Sequence, residues 1–282
     1  MKPEEKKILV GNCEWFYRES TPNNEGDKLP VLLLHGLPSQ SYSWTVIMEE
    51  LAQEGFRSLA PDWPGSGYSG KPDKRDFAYT PDAFIEALDG FIKGLELEKF
   101  NLVVQGFLGS AGLQYALRNS EKIERLAILN TPLSSAVKLP WRMQQLGLPF
   151  IGDMLTQDPL FIDRTLEKGS GYTISDEDLN VYRGPYLKSS AAGRSILYAI
   201  KNLQLKEAIA EIETGFNSWQ QPTLIIWGTA DPWLDISGAE NLVEICENAQ
   251  LIKLQKAGHY PQDHWSVEIA PELVLFLRKQ EV

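Results

Sequence analysis

The 282-residue chain is poor in cysteine: it has two, Cys13 and Cys246, far apart in sequence. No CxxC pair and no cysteine–histidine spacing connects them, so neither a disulfide framework nor a zinc site is supported. Long apolar runs are also missing. No stretch reaches the roughly 18 apolar residues that a membrane-spanning helix needs. The N-terminal MKPEEKKILV is charged where a secretory signal would be apolar. A reducing cytoplasm is the expected location, although a mature protein whose transit peptide had been removed would read the same way. Positive charge is in deficit, with 27 Lys and Arg against 38 Asp and Glu, a net charge of −11. Phosphate backbones and anionic lipids need a basic surface, so no nucleic-acid partner is expected. The acidity reads as solubility. Internal repeats and low-complexity segments are absent.

What remains is an ordinary globular composition, 43% hydrophobic and 23% charged. The length suits one large α/β domain or two small ones. Strands are expected at Lys7 to Val10, Glu14 to Arg18, Val31 to Leu34, Arg57 to Ala60, Asn101 to Gln105 and Ile123 to Leu129. Helices are expected at Ser41 to Gln53, from Thr80-Pro81-Asp82 to about Leu95, and at Ser110 to Arg118. The alternation then stops. From Ser134 to Ser218 no buried strand is visible, only helical stretches broken by Pro140, Pro149, Pro159 and Pro185. It resumes with strands at Thr223 to Trp227 and Gln250 to Leu254, and helices near Gly238 to Glu247 and Val267 to Lys279. Strand–helix alternation implies a mostly parallel sheet of eight strands with helices on both faces. The interruption predicts a core of residues 1–133 and 219–282, with a helical cap at 134–218 over the sheet edge where open α/β sheets bind ligands.

Five segments carry a resemblance. HGLPSQSYSW (35–44), PDWPGSGYSGKP (61–72), NLVVQGFLGSAGLQYA (101–116), WGTADPW (227–233) and AGHYPQDH (257–264) are similar, in this order, to the α/β-hydrolase superfamily. They most resemble its haloalkane dehalogenase and epoxide hydrolase branch. The similarity spans nearly the whole chain and is weakest in the helical insertion. Any one segment alone would be weak; the five in order are specific.

The resemblance implies a nucleophile on a sharp strand-to-helix turn, the nucleophile elbow. Here the turn reads Gln105, Gly106, Phe107, Leu108, Gly109, so the nucleophile position falls on Gly106. Glycine cannot form an ester intermediate. It does adopt, at no steric cost, the positive-φ conformation that the elbow forces on its central residue. Ser110 is the nearest hydroxyl and the fallback nucleophile, but it falls inside the helix, where packing or N-terminal hydrogen bonding is its plain structural role.

The remaining site residues also follow from the resemblance. His259 stands where the family places its catalytic base, and Asp231 where it places the acid that holds the base's tautomer. Asp231 could equally make an Asx turn before Pro232; Asp235 is a weaker alternative acid. Asn130 ends the sixth strand, either as an orienting amide or as the exit into the insertion. His35 opens an oxyanion loop, in which the amides of Leu37 and Phe107 would serve as donors. The dehalogenase branch binds halide with side chains at those two positions, and Leu37 and Phe107 carry no donor. Asp62 is a family structural position, Gly65 and Gly67 are turn glycines, and His264 is a packing or surface residue.

Trp141, Phe150, Phe161, Tyr172, Tyr182, Tyr186 and Tyr198 could line an apolar pocket under the cap, or simply pack it. The expected partner is therefore a small apolar molecule, with no cofactor. Three function classes stay open: a site that works by general-base chemistry through His259, a non-catalytic binding module, and an esterase-like hydrolase using Ser110.

Overall fold

The computed structural model describes residues 2–23, 28–146, 148, 152, 154, 158 and 160–278. Eight strands form one sheet: β1 Glu4–Val10, β2 Cys13–Ser20, β3 Val31–Leu34, β4 Ser58–Pro61, β5 Phe100–Gln105, β6 Ile123–Leu129, β7 Thr223–Gly228 and β8 Ala249–Leu254. Their spatial order is β1-β2-β4-β3-β5-β6-β7-β8. The β1–β2 and β2–β4 pairs are antiparallel, and every later pair is parallel. Central β3, β5 and β7 are buried at every position, as strands covered on both faces must be, whereas edge strand β1 alternates with solvent.

Helices α1 Thr45–Gln53, α2 Pro81–Gly94 and α3 Gly109–Arg118 return the chain between parallel strands. A 3-10 turn, Ser41–Trp44, precedes α1, so the helix expected from Ser41 begins as a tighter coil. Thr80 caps α2 by accepting from the Ala83 amide at 3.3 Å, with Pro81 at the first helical position. Two apolar cores result. One face of the sheet buries Leu32, Leu34, Leu102 and Val104 with Phe84 and Leu113 of α2 and α3. The other buries Leu33, Val103 and Ile226 with Ile47 of α1 and Leu273 of the C-terminal helix.

Between β6 and β7 the described residues hold helices and no strand: α4 Trp141–Leu146, α5 Phe161–Ser170, α6 Asp176–Lys188, α7 Ser190–Lys201 and α8 Leu205–Gly215. Pro149, Phe150 and Pro159 lie outside the described residues. Pro140 directly precedes α4, but Pro185 does not break the chain as expected; it sits inside α6. Proline lacks an N–H, so the carbonyl four residues back loses its helical donor. That carbonyl, on Val181, instead accepts from Gln40 Nε2 at 2.9 Å and Tyr68 Oη at 3.4 Å. The proline thereby supplies an acceptor that ties α6 to the sheet domain. After β7 come α9 Ser237–Ile245, the four-residue α10 Pro261–His264 and α11 Ser266–Arg278.

The register decides where the site falls. Leu34 pairs with Val104, Gln105 with Leu129, Leu129 with Ile226, and Gly228 with Leu254. Residues just past these ends, namely His35-Gly36, Gly106, Asn130, Asp231 and His259, therefore gather at one carboxyl edge of the sheet.

Candidate active site

Gly106 occupies the turn between β5 and α3 at φ +73°. Its amide donates to the Asn130 carbonyl at 3.2 Å, and its carbonyl accepts from the Gly109 amide at 3.0 Å. A Cβ placed on Gly106 would point at His259, 3.5 Å from Nε2, so the glycine stands on the line a nucleophile would take. The same Cβ would also fall 2.8 Å from the Cα of Gly36. The loop at Gly36 thus lies backbone against backbone on the turn at Gly106.

His259 is fully buried, and its Nδ1 lies 2.8 Å from Asp231 Oδ2. A carboxylate only accepts, so Nδ1 carries the proton of this bond, and a ring without a second proton presents its lone pair at Nε2. Nε2 has no hydrogen-bond partner among the described residues. Phe107, Trp233 and Tyr260 surround the ring with centroids at 5.3, 4.8 and 4.8 Å. The Asp231 side chain is fully covered. Its Oδ1 accepts from the Trp233 amide at 2.8 Å and the Leu234 amide at 3.1 Å, so the Asx turn and the contact with His259 coexist. Asn130, at φ +36°, donates from Nδ2 to Asp231 Oδ2 at 2.9 Å and to the Gly228 carbonyl at 3.0 Å. Its Oδ1 takes the Gly228 amide at 2.8 Å. It thus holds the acid and the end of β7 together.

His35 is equally buried, and burial lowers its pKa, so the ring stays neutral. Nδ1 donates to the Gly36 carbonyl at 2.8 Å, and Nε2 accepts from the Trp63 amide at 3.3 Å. Both nitrogens are occupied in shaping the loop. Leu37 is buried, and its carbonyl accepts from Tyr260 Oη at 2.9 Å. Neither the Leu37 nor the Phe107 amide donates to a backbone carbonyl among the described residues. Gln105, also fully buried, bonds Gly36, His259 and Gln262. Asp62 accepts from the Ser41 and Tyr68 amides, each at 2.7 Å, and Gly65 and Gly67 take positive φ in its turn.

Ser110 is not brought to the base. Its hydroxyl donates to the Phe107 carbonyl at 2.7 Å in the first turn of α3. Asp235 is exposed, and hydrogen bonding from the Ser237 hydroxyl and then from its amide holds the carboxyl below the usual range. His264 is exposed and lies against Tyr172 at 5.3 Å.

The aromatics of the helical segment divide. Trp141 is 67% exposed and Tyr172 40%, so these two do not line a closed pocket. Phe161 and Tyr182 are buried, Tyr186 packs against the core, and Tyr198 lies 5.6 Å from Tyr79. Among the described residues, two hydrogen bonds bind the segment to the His259 loop. The Gly169 carbonyl accepts from the His259 amide at 2.7 Å, and Tyr182 Oη donates to Asp263 Oδ1 at 2.6 Å. Burial pushes the Asp263 carboxyl up to about 7. Sequence reasoning missed Tyr182–Asp263, Tyr260, Trp233 and Gln262. The last three lay inside quoted motifs, but only the tertiary fold reveals their partners. A groove of about 830 Å³, lined by Val10, Cys13, Phe77 and Ala87, lies elsewhere and includes none of these residues.

Comparison with known proteins matches residues 30–264 to the model of the alpha/beta hydrolase fold family. A cis-3-alkyl-4-alkyloxetan-2-one decarboxylase of Shewanella oneidensis is 28% identical over 273 residues, covering 92% of this chain and 85% of that protein. Epoxide hydrolase 1 of Caenorhabditis elegans is 26% identical, covering 90% and 66%. A haloalkane dehalogenase of Mesorhizobium japonicum is 25% identical, covering 89% and 87%. Among solved structures, the haloalkane dehalogenase DbeA of Bradyrhizobium elkani superposes with a TM-score of 0.86 at 23% identity, over 98% of this chain and 97% of that one. The chain belongs to the alpha/beta hydrolase fold family.

Proposed function

We propose that the protein binds a small apolar molecule beneath its helical cap and acts on it through His259 as a general base, with no covalent intermediate. The observation that carries this reading is the buried Nε2 of His259, which faces Gly106 and has no hydrogen-bond partner among the described residues, behind the Asp231–Asn130 support. A base held in one tautomer, with its lone pair aimed toward Gly106, which has no side chain, takes its proton from the substrate or from water. In the water route, the oxygen attacks an electrophilic centre and the proton on Nε2 passes to the leaving group. The Leu37 and Phe107 amides are the donors for an oxyanion that forms. Epoxides and haloalkanes, the substrates in two relatives' names, are small and apolar, in keeping with the proposed ligand. Gly106 offers no carboxylate or hydroxyl for a covalent step.

A second reading is a binding module without chemistry. The close approach of Gly36 to Gly106 favours it, because backbone occupies space that a reacting side chain would need. The route through Ser110 requires its hydroxyl to leave the Phe107 carbonyl and the helix.

The test is incubation of wild type, His259→Ala and Asp231→Ala with a metabolite extract, followed by mass spectrometry. Catalysis predicts compounds consumed and formed by wild type and left unchanged by His259→Ala. A compound retained by both proteins, with none converted, supports the binding module. Conversion that survives His259→Ala refutes the general-base reading.

A further inference from the structure

We propose that Gln105 is a positioning residue for His259, tethering the base to the elbow in place of the hydroxyl or carboxylate that Gly106 lacks. The inference rests on the reading of His259 as a base and adds the element that holds it. In a complete triad the imidazole is fixed from both sides, by the acid at Nδ1 and by the nucleophile at Nε2. Here the acid side is present at 2.8 Å and the Nε2 side has no hydrogen-bond partner among the described residues. An imidazole with one tether can swing about it, and a displacement of about 1 Å can cost on the order of 100-fold in rate.

The residue immediately before Gly106 supplies a second tether. Gln105 Nε2 donates to the main-chain carbonyl of His259 at 2.6 Å. Its Oε1 accepts from the Gly36 amide at 3.2 Å and from Gln262 Nε2 at 3.3 Å. The amide orientation follows from chemistry: the His259 carbonyl can only accept, and the Gly36 N–H can only donate. One side chain therefore joins three segments: the oxyanion loop at Gly36, the elbow that bears Gln105, and the base loop at His259 and Gln262. Gln105 is fully buried at the end of a strand whose preceding Leu102, Val103 and Val104 are apolar and fully buried. A buried amide is costly unless its bonds are made, and here both ends are used on the loops that carry the site. Gly36 is bound into the same arrangement, since a Cβ on it would fall 3.0 Å from Gln105 Oε1 and 2.7 Å from the Gly106 Cα.

The test uses the full chain, labelled with nitrogen-15, and follows the His259 imidazole Nδ1–H signal, assigned by its loss in His259→Gln. Gln105→Met keeps the length and removes all three bonds. The expected result is a Nδ1–H signal lost to solvent exchange, while circular dichroism shows a retained fold. In Gln105→Glu the introduced carboxyl can donate to the His259 carbonyl when protonated and repels it when ionised. Its signal should persist at acid pH and vanish as that carboxyl ionises, which burial shifts toward neutrality. A Gln105→Met protein that melts lower but keeps the His259 Nδ1–H signal overturns the proposal and leaves Gln105 a packing residue. If that variant does not fold, a Gln105→Glu signal unchanged across the same pH range overturns it. Neither readout needs turnover, so an inactive wild type would sink the general-base reading without altering this result.

Discussion

Gly36 and Gly106 meet backbone to backbone: a Cβ on Gly106 would lie 2.8 Å from the Gly36 Cα, and one on Gly36 would lie 2.7 Å from the Gly106 Cα. Each glycine is required by the other. Gly106→Ser is therefore expected to fold and to lose stability, on the order of 1–3 kcal/mol for a side chain at positive φ, with more lost where Gly36 must move. The oxyanion loop moves with Gly36, so p-nitrophenyl ester turnover should not rise above wild type. Thermal melts and ester assays on both proteins check this. A variant as stable as wild type with new esterase activity would show that the position is open.

Asn130→Ala should destabilise through a different route. The substitution leaves the buried amide and carbonyl of Gly228 without their side-chain partner and removes one bond to Asp231. Leaving a buried backbone donor unpaired costs about 1–3 kcal/mol. Alanine also enters the φ +36° conformation less readily than asparagine. Urea unfolding should show a lower midpoint at unchanged slope.

Asp263 predicts a pH dependence. Burial raises its carboxyl to about 7; the Tyr182 hydrogen bond opposes the shift and the charge of Asp178 adds to it. The unfolded value is near 3.9. The folded protein thus holds the proton more tightly, and the stability linked to it is complete below about pH 4 and lost as pH rises through about 7. Asp263→Asn should flatten this slope, so the variant's melting temperature relative to wild type should be higher at pH 8 than at pH 5. An equal difference at both pH values would contradict it.

Haloalkane dehalogenase activity is not expected. Gly106 lacks the carboxylate for displacement, and Leu37 and Phe107 are apolar where halide-binding donors are needed. Incubation with short bromoalkanes should release no bromide above a His259→Ala control.

Most of the parallel strands were legible because they carry a short apolar run closed by glycine, proline or a polar residue, and their register then fixed which loops share an edge. Gly106, Asp231 and His259 were expected at one sheet edge because each follows a strand end, and the structure brings the three together there, whatever their roles. The joint between the helical segment and the rest of the fold was not legible. Tyr182–Asp263 spans 81 residues of sequence, and Gln40–Val181 spans 141. Neither has a local pattern. Pro185 misled for a related reason: its missing donor reads as a helix break, and only the tertiary structure shows the freed Val181 carbonyl accepting from Gln40. The contact of Gly36 with Gly106 is likewise invisible locally, since either glycine alone is explained by its turn.

The most direct test of chemistry without a covalent intermediate is a single turnover in oxygen-18 water, with enzyme in excess over a compound that the wild type hydrolyses. Direct attack by water activated by His259 places the label in the product of the first turnover and leaves the mass of every protein peptide unchanged. Label appearing first in a peptide, or an adduct on Ser110 or any other side chain, would show that a covalent nucleophile operates and would contradict the account.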